Sequence, residues 1–267
     1  MSAYSDRILA DGATNYWRLN NASGKATDSV GAADATLIGN VVRGVSGALA
    51  DGDTAMAFDG EVGYLGSFNV TLGQQVTVEA WLRTTRVGYG AVFSTRHQPP
   101  SAGDLQLGLD VAGRLTLFGA TTTVASQQVM TDGAWHHVVA TADGATQQAA
   151  LYVDGAPIAT SLDPFIHAAM GASAPSRIGG DPYTAPWEGR LDEVAIYPTA
   201  LTPAQIAAHY TLGTASTFTR TTNDLNTGLS NFLHGTGDLT TRITAYLATL
   251  TGDYTARWKQ MERDAGF

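Results

Sequence analysis

Short runs of alternating apolar and polar residues, each closed by Gly, Asp or Asn, constrain this chain more than any other feature. The clearest is VTVEAWLR, in which Val76, Val78, Ala80 and Leu82 fall on one face and Thr77, Glu79, Trp81 and Arg83 on the other. That is the period-two pattern of a half-buried strand. Comparable runs are Ala55–Phe58, Tyr64–Phe68, Ala91–Thr95, Leu105–Leu109, Arg114–Phe118, His136–Ala142, Arg177–Ile178 and Leu191–Tyr197. Ala149–Val153 reaches Asp154-Gly155 and resumes at Ala156–Ala159, a hairpin whose turn residues supply the positive φ angles a two-residue loop needs. Strands this short, with no βαβ unit between them, predict an all-β fold of two antiparallel sheets packed as a jelly-roll sandwich. With 267 residues, 44 % of them hydrophobic, the chain can bury a sizeable core.

The two ends of this series read differently. Residues 7–18, RILADGATNYWR, open with a short apolar turn and run into Tyr16-Trp17, a segment suited to pinning the start of the chain on a sheet. At the other end, YPTALTPAQIAAHYTLG predicts a short helix with Thr202 as its cap, Pro203 at its first position, Gln205 three residues after the cap and Gly213 closing it. The sandwich is therefore expected over residues 1–213. Residues 214–238, rich in Thr, Ser, Asn and Gly, read as a linker or surface-hugging segment. Residues 239–267 read as a C-terminal helical appendage for attachment or oligomerisation: Leu239, Ile243, Tyr246, Leu247 and Leu250, then Tyr254, Trp258 and Met261, recur at helical spacing. Such a stripe cannot be buried alone. Tyr246, Tyr254 and Trp258 are accordingly expected at an interface with copies of the chain or with a partner.

Composition removes several classes of chemistry. A formal charge of −9 argues against a basic nucleic-acid footprint. The absence of cysteine excludes disulfides, thiol nucleophiles, thiolate zinc sites and iron–sulfur clusters. No apolar run approaches the roughly 18 residues of a membrane span, and the first residues lack a signal-peptide core. Neither membrane insertion nor export by a cleaved signal is expected.

The segments YWRLNNASGKATDSVG, AMAFDGEVGYL, VTVEAWLR, GAWHHVVATADG, ALYVDGAPI and WEGRLDEVAIYPTALTPAQIAAHY, covering about residues 8–212, together resemble the laminin-G-like, concanavalin-A-like lectin/glucanase jelly rolls. The resemblance implies two antiparallel sheets. It also implies a function drawn from carbohydrate-binding modules, protein-binding modules, some of them holding calcium, and glycoside hydrolases of related fold. In that family an Asp of the first loop and the Asp of the terminal strand often lie together. The matching residues are Asp28 and Asp192, with carbonyls near Gly31, and a structural calcium ion is the cofactor implied. The opening YSDRILADGATNYWRL is in addition similar to tail or decoration proteins of double-stranded DNA phages. Residues after 213 resemble no family.

His136 and His137 are neighbours on a strand and point to opposite faces, so they cannot readily share one metal or proton; Trp135 reads as a packing anchor beside them. Glycoside hydrolysis needs two carboxyls on one face, but Glu79 stands alone, Glu61 lies in a turn and Asp192-Glu193 are adjacent and expected to diverge. A sugar site needs an aromatic platform with polar groups around it. The candidates are Tyr89, Tyr183 and Trp187, with Asp181 and, in nearby loops, Arg96, His97 and Asp104.

The expectation that follows is a non-enzymatic structural or adhesion subunit of a phage particle. It would be homo-oligomeric, held to other virion proteins through its C-terminal region and turned toward host-surface glycan. The alternatives are a bacterial carbohydrate-binding or adhesion module, extracellular or at a cell surface, and a glycoside hydrolase.

Overall fold

The computed structural model describes residues 2–96, 104–119, 123–162, 173–181 and 186–215. Along the chain these form α1 (Ala3–Ala10), β1 (Asn15–Trp17), β2 (Thr36–Ile38), β3 (Val41–Ser46), β4 (Thr54–Asp59), β5 (Tyr64–Thr71), β6 (Gln75–Arg83), β7 (Gly90–Ser94), β8 (Leu105–Leu109), β9 (Arg114–Gly119), β10 (Thr123–Val129), β11 (His136–Asp143), β12 (Gln148–Val153), β13 (Ala156–Leu162), β14 (Ser173–Ile178), β15 (Glu188–Tyr197) and α2 (Pro203–Thr214). The larger sheet runs β13-β12-β11-β6-β15-β4-β3, with β1 paired to β15, and the smaller runs β10-β9-β8-β7-β14-β5-β2. All pairings are antiparallel, which is the two-sheet jelly-roll sandwich expected.

The alternation of β6 has a use on each side. Val76, Val78, Ala80 and Leu82 join Phe93, Leu107, Leu117 and Ile178 in the core between the sheets. Thr77, Glu79 and Trp81 are buried too, because α1 and α2 lie over that outer face and build a second core with Tyr4, Ile8, Tyr197 and Ile206. Both helices start with capping boxes: Ser2 with Ser5, and Thr202 with Gln205 behind Pro203. An eight-residue helix is marginal by itself; burying Tyr4 and Ile8 contributes about 1.5–3 kcal/mol each and holds α1 in place.

Under the helices lies a buried carboxylate. Glu79 Oε1 accepts from the Tyr4 and Tyr197 hydroxyls at 3.3 and 3.0 Å. Oε2 faces His209 Nδ1 at 2.8 Å, while His209 Nε2 reaches Asp11 Oδ2, also at 2.8 Å. Burial opposes the charge on Glu79, but the imidazoles of His137 and His209 hold its carboxyl down to about 2. His137 Nε2 stands 3.7 Å from the same Oε2.

The Asp154-Gly155 hairpin forms as expected, with φ of 52° and 77° at the two turn residues. Gly213 differs from expectation. It lies inside α2, and a Cβ there would meet Trp81 Cζ2 at 2.4 Å, so it is a packing glycine rather than a cap. The first compact unit ends at Ala215. The rest of the expected linker (214–238), the helical appendage (239–267) and Tyr246, Tyr254 and Trp258 lie outside the described residues.

Candidate functional site

Cross-strand register assembles a mixed polar and aromatic row on the outer face of the smaller sheet. Ile178, Phe93, Leu107, Leu117 and Val124 point inward. The neighbouring register line therefore points outward: Arg177 opposite Ser94, Ser94 opposite Gln106, Gln106 opposite Phe118, and Phe118 opposite Thr123. Tyr64 precedes the inward Leu65 on β5, and its ring carries the Arg177 guanidinium at 4.7 Å from the centroid. Phe118, Tyr64 and Arg177 are half-buried, whereas Ser94 and Gln106 are fully buried.

Two residues beyond the strand ends complete the constellation. Arg96 Nη1 reaches both Asp181 Oδ2 and Gln106 Oε1 at 3.4 Å, and Ser94 Oγ donates to the same Asp181 oxygen at 3.3 Å. Ser94 Oγ also accepts the Arg96 backbone N–H at 3.1 Å. The Arg96 cation fixes the orientation of the Gln106 amide, because only Oε1 can accept from it. Gln106 Nε2 is left buried and without a partner. Together these side chains place aromatic rings and two guanidiniums, half-buried, over a buried amide and carboxylate on one sheet face; rings and donors of this kind are what a sugar needs for stacking and hydroxyl recognition.

The residues singled out in the sequence are dispersed. Asp181 is part of this face, as are the nearby Arg96 and the strand residues between them. Tyr89 is 43 % exposed, but it precedes β7 whereas Arg96 follows it; seven residues of strand rise separate them by roughly 20 Å. Trp187 is no platform: it is 1 % exposed, and its ring lies against Gly90 in the core between the sheets. Tyr183 and His97 lie outside the described residues. His136 and His137 do diverge. His136 bonds Asp154 and Asp132, while His137 is buried against Trp81 and Tyr210.

The implied calcium pair takes other partners. Asp28 Oδ1 accepts from Tyr16, Val30 and Gly31 N–H, and Oδ2 from Ala33 N–H and the Asn15 amide. Burial opposes its charge, yet these donors hold its carboxyl below the usual range. Asp28 thus ties a loop to β1 and has its oxygens already engaged. Asp192 Oδ2 accepts from Ala48 N–H at 2.8 Å, and its Oδ1 is buried without a partner. The acids around it are served by Arg18, which bridges Glu193 and Asp53. Among the described residues no three His, Cys, Asp or Glu side chains are grouped to hold a metal.

Asp192 and Glu193 correct another expectation. A bulge between Asp192 and Ala195 interrupts the alternation that would make the two side chains diverge, puts Glu193 at a φ of 51°, and leaves both carboxyls fully buried. Burial and the neighbouring Glu193 push Asp192 well above the usual range. Burial pushes Glu193 up to about 8, although Arg18 and the Tyr16 hydroxyl oppose that. The chain therefore does carry an adjacent pair of interacting carboxyls, held beneath the surface. A further groove of about 510 Å³ lies between β11–β13 and the start of α2, but its one aromatic, Tyr152, is 6 % exposed and offers no open ring face. Among the described residues no helix is long and apolar enough to cross a membrane.

Comparison with known proteins agrees with this architecture. A family model described as the concanavalin A-like lectin/glucanases superfamily matches residues 59–207. No curated protein matches the sequence. Among solved structures, domain 4 of the GH43 extracellular arabinanase AbnA from Geobacillus stearothermophilus, in complex with arabinotriose, is similar at a TM-score of 0.59 and 19 % identity, over 74 % of this chain and 98 % of that one. The binding domain of Paraclostridial Mosquitocidal Protein 1 is similar at 0.57 and 14 %, over 76 % and 52 %. Trypanosoma rangeli sialidase is similar at 0.56 and 18 %, over 76 % of this chain and 34 % of that one; the chain spans about a third of the sialidase. These likenesses overturn the expectation of a non-enzymatic phage subunit. They run to proteins of glycan chemistry, an arabinanase and a sialidase, and the expected exclusion of catalysis falls with it.

Proposed function

Because the chain belongs to the concanavalin A-like lectin/glucanase superfamily, we propose that it is a glycan-recognition domain of a carbohydrate-active system, with the outer face of the smaller sheet as its binding face. The observation that carries this reading is the Arg177–Ser94–Gln106–Phe118 row with Arg96 and Asp181 against it. Phe118 supplies a ring for a pyranose or furanose to stack on. Arg96 and Arg177 supply donors to ring substituents, while the buried Gln106 and Asp181 orient Arg96 from beneath. The arabinotriose complex of a similar domain, nearly all of which this chain covers, supports the choice of an oligosaccharide as ligand.

The test is calorimetric titration of the full chain with a panel of neutral and acidic oligosaccharides, arabinotriose included. Release of reducing ends is followed in the same samples. Saturable binding that weakens in Arg177→Ala and Phe118→Ala supports the reading. Release of reducing ends that is lost in Asp181→Asn makes the same face a catalytic one. A panel in which nothing binds and nothing is cleaved overturns it.

A further inference from the structure

We infer that the open half of β5 is a docking edge for an extended segment of another protein, which adds to the smaller sheet as a further strand. β2 pairs with β5 only over Tyr64–Gly66, whereas β14 follows β5 on its other side as far as Thr71. Past Gly66 no described strand takes the β2 side, so alternate N–H and C=O groups of Phe68–Thr71 turn toward open space there. A bulge marks the break. Gly66 and Ser67 together face one residue of β14, and Ser67 sits at a φ of 61°, in the left-handed region that favours glycine. This edge lies in a groove of about 530 Å³ whose lining includes every residue from Ser67 to Thr71. Successive residues of a strand point to opposite faces, so a groove that touches all five runs along the edge and not over one face.

The facing wall is Thr14–Asn15 and Ala32–Asp34. Asp28 ties its two parts together, since one oxygen accepts from the Asn15 amide at 2.7 Å and from Ala33 N–H at 3.2 Å. Ala33 C=O accepts from the Trp17 indole at 2.8 Å. Both backbone groups of Ala33 are thus engaged, and the wall cannot swing over to serve as the missing strand. Amides repeating at strand spacing are complementary to another backbone of the same spacing, which a sugar does not offer. The edge is recessed behind the wall, which leaves room for one strand but not for the paired layers of a second sandwich. Ser67, Asn69 and Thr71 are exposed along it, while Phe68 and Val70 are buried beneath. These neighbours select a strand in which small polar and β-branched apolar residues alternate. Lys25, at the rim, is exposed and has no carboxylate partner among the described residues; the acid beside it, Asp34, accepts from Asp28 N–H at 2.9 Å. The segment that fits therefore carries an acidic residue at one end.

The experiment offers the full chain an array of acetylated, amidated hexapeptides in which Val or Ile alternates with Thr or Ser and Glu stands at one end. At least one should bind saturably. The tightest is then remade with N-methyl groups on its odd-numbered or on its even-numbered amides. Only alternate amides of an added strand face the edge, so one series should weaken binding by about tenfold or more while the other binds as before. Hydrogen exchange at the outward-turned amides of Phe68–Thr71, fast in the chain alone, should slow in the complex. Lys25→Ala should weaken binding and reduce its dependence on salt. Binding by no peptide, or an equal response to the two methylated series, overturns the proposal. Slow exchange of these amides in the chain alone overturns it too: protection that fades on dilution assigns the edge to a second copy, and protection that persists assigns it to residues of the same chain. The glycan reading stands or falls separately, because Phe118 lies on β9, four strands from β5.

Discussion

Glu79 and His209 meet at 2.8 Å at the point where the first helix, the last helix and the larger sheet converge. Glu79 comes from the middle of β6 and His209 from α2; Tyr4 of α1 donates to the same carboxylate, and Asp11, which Arg7 also binds, closes the far side of the imidazole. A single buried charge pair thus fastens both helices over Trp81 and Tyr197. Burial disfavours a charged His209, but hydrogen bonds to Glu79 and Asp11 raise its proton affinity above the ordinary value.

That arrangement fixes how stability varies with pH. The Glu79 contribution is complete above its ordinary value of 4.5 and is lost as pH falls toward about 2. The His209 contribution is complete below 6.5 and is lost as pH rises through its raised value. Glu193 acts in the same direction as His209: the fold favours its neutral form, and that advantage disappears as pH rises through about 8. Thermal melting from pH 4 to 9 should therefore peak on the mildly acidic side of neutrality, and a His209→Gln variant should show a lower, flatter profile above pH 6.5. A wild-type profile that keeps rising to pH 9 would contradict this.

Gly213 offers a packing test of the same helix. Its position leaves 2.4 Å between a would-be Cβ and the Trp81 ring. Gly213→Ala is expected to cost about 1–3 kcal/mol in chemical denaturation, despite alanine's better helix propensity. Combining it with Trp81→Phe should recover part of the packing penalty, because the atom in the way is removed. A stabilised single variant would show that α2 does not sit against Trp81 as described.

Asp28 separates a structural acid from a metal ligand. Five donors end on its two oxygens, so Asp28→Ala should cost at least about 3 kcal/mol through donors left without acceptors. The loss should be the same with calcium and with a chelator. If a chelator alone lowers the melting temperature of the wild type as far as the substitution does, the acid serves a metal instead.

Local signals in the sequence carried over well. Asp154-Gly155 and the Thr202–Pro203–Gln205 start depend on neighbouring residues, and both formed where their spacing placed them. Three of the four edge strands were hidden: β3 carries a bulge at Gly44, β10 is mostly polar with its own bulge, and β2 is three residues long, so none shows clean alternation, whereas the edge strand β13 follows the Asp154-Gly155 turn. Glu79 reads as solvent-facing in the sequence because alternation cannot reveal a helix arriving from 130 residues away. The proposed face was legible only at Asp181 and Arg96, polar residues in loops. Ser94, Gln106, Phe118 and Arg177 come together through strand register, which is a tertiary property. Trp187 had the right chemistry for a platform but sits where Gly90 gives it room to be buried.

The central claim is that glycan binds on the outer face of the smaller sheet, and it is tested most directly by one paired titration. The tightest-binding oligosaccharide is titrated into the wild type, into Phe118→Ala, and into Thr160→Ala, which alters the groove beside α2 on the larger sheet. Loss of a stacking ring should weaken binding by about tenfold or more in Phe118→Ala, while Thr160→Ala should bind as the wild type does. Unchanged affinity in folded Phe118→Ala, or a loss confined to Thr160→Ala, would move the site off this face and contradict the account.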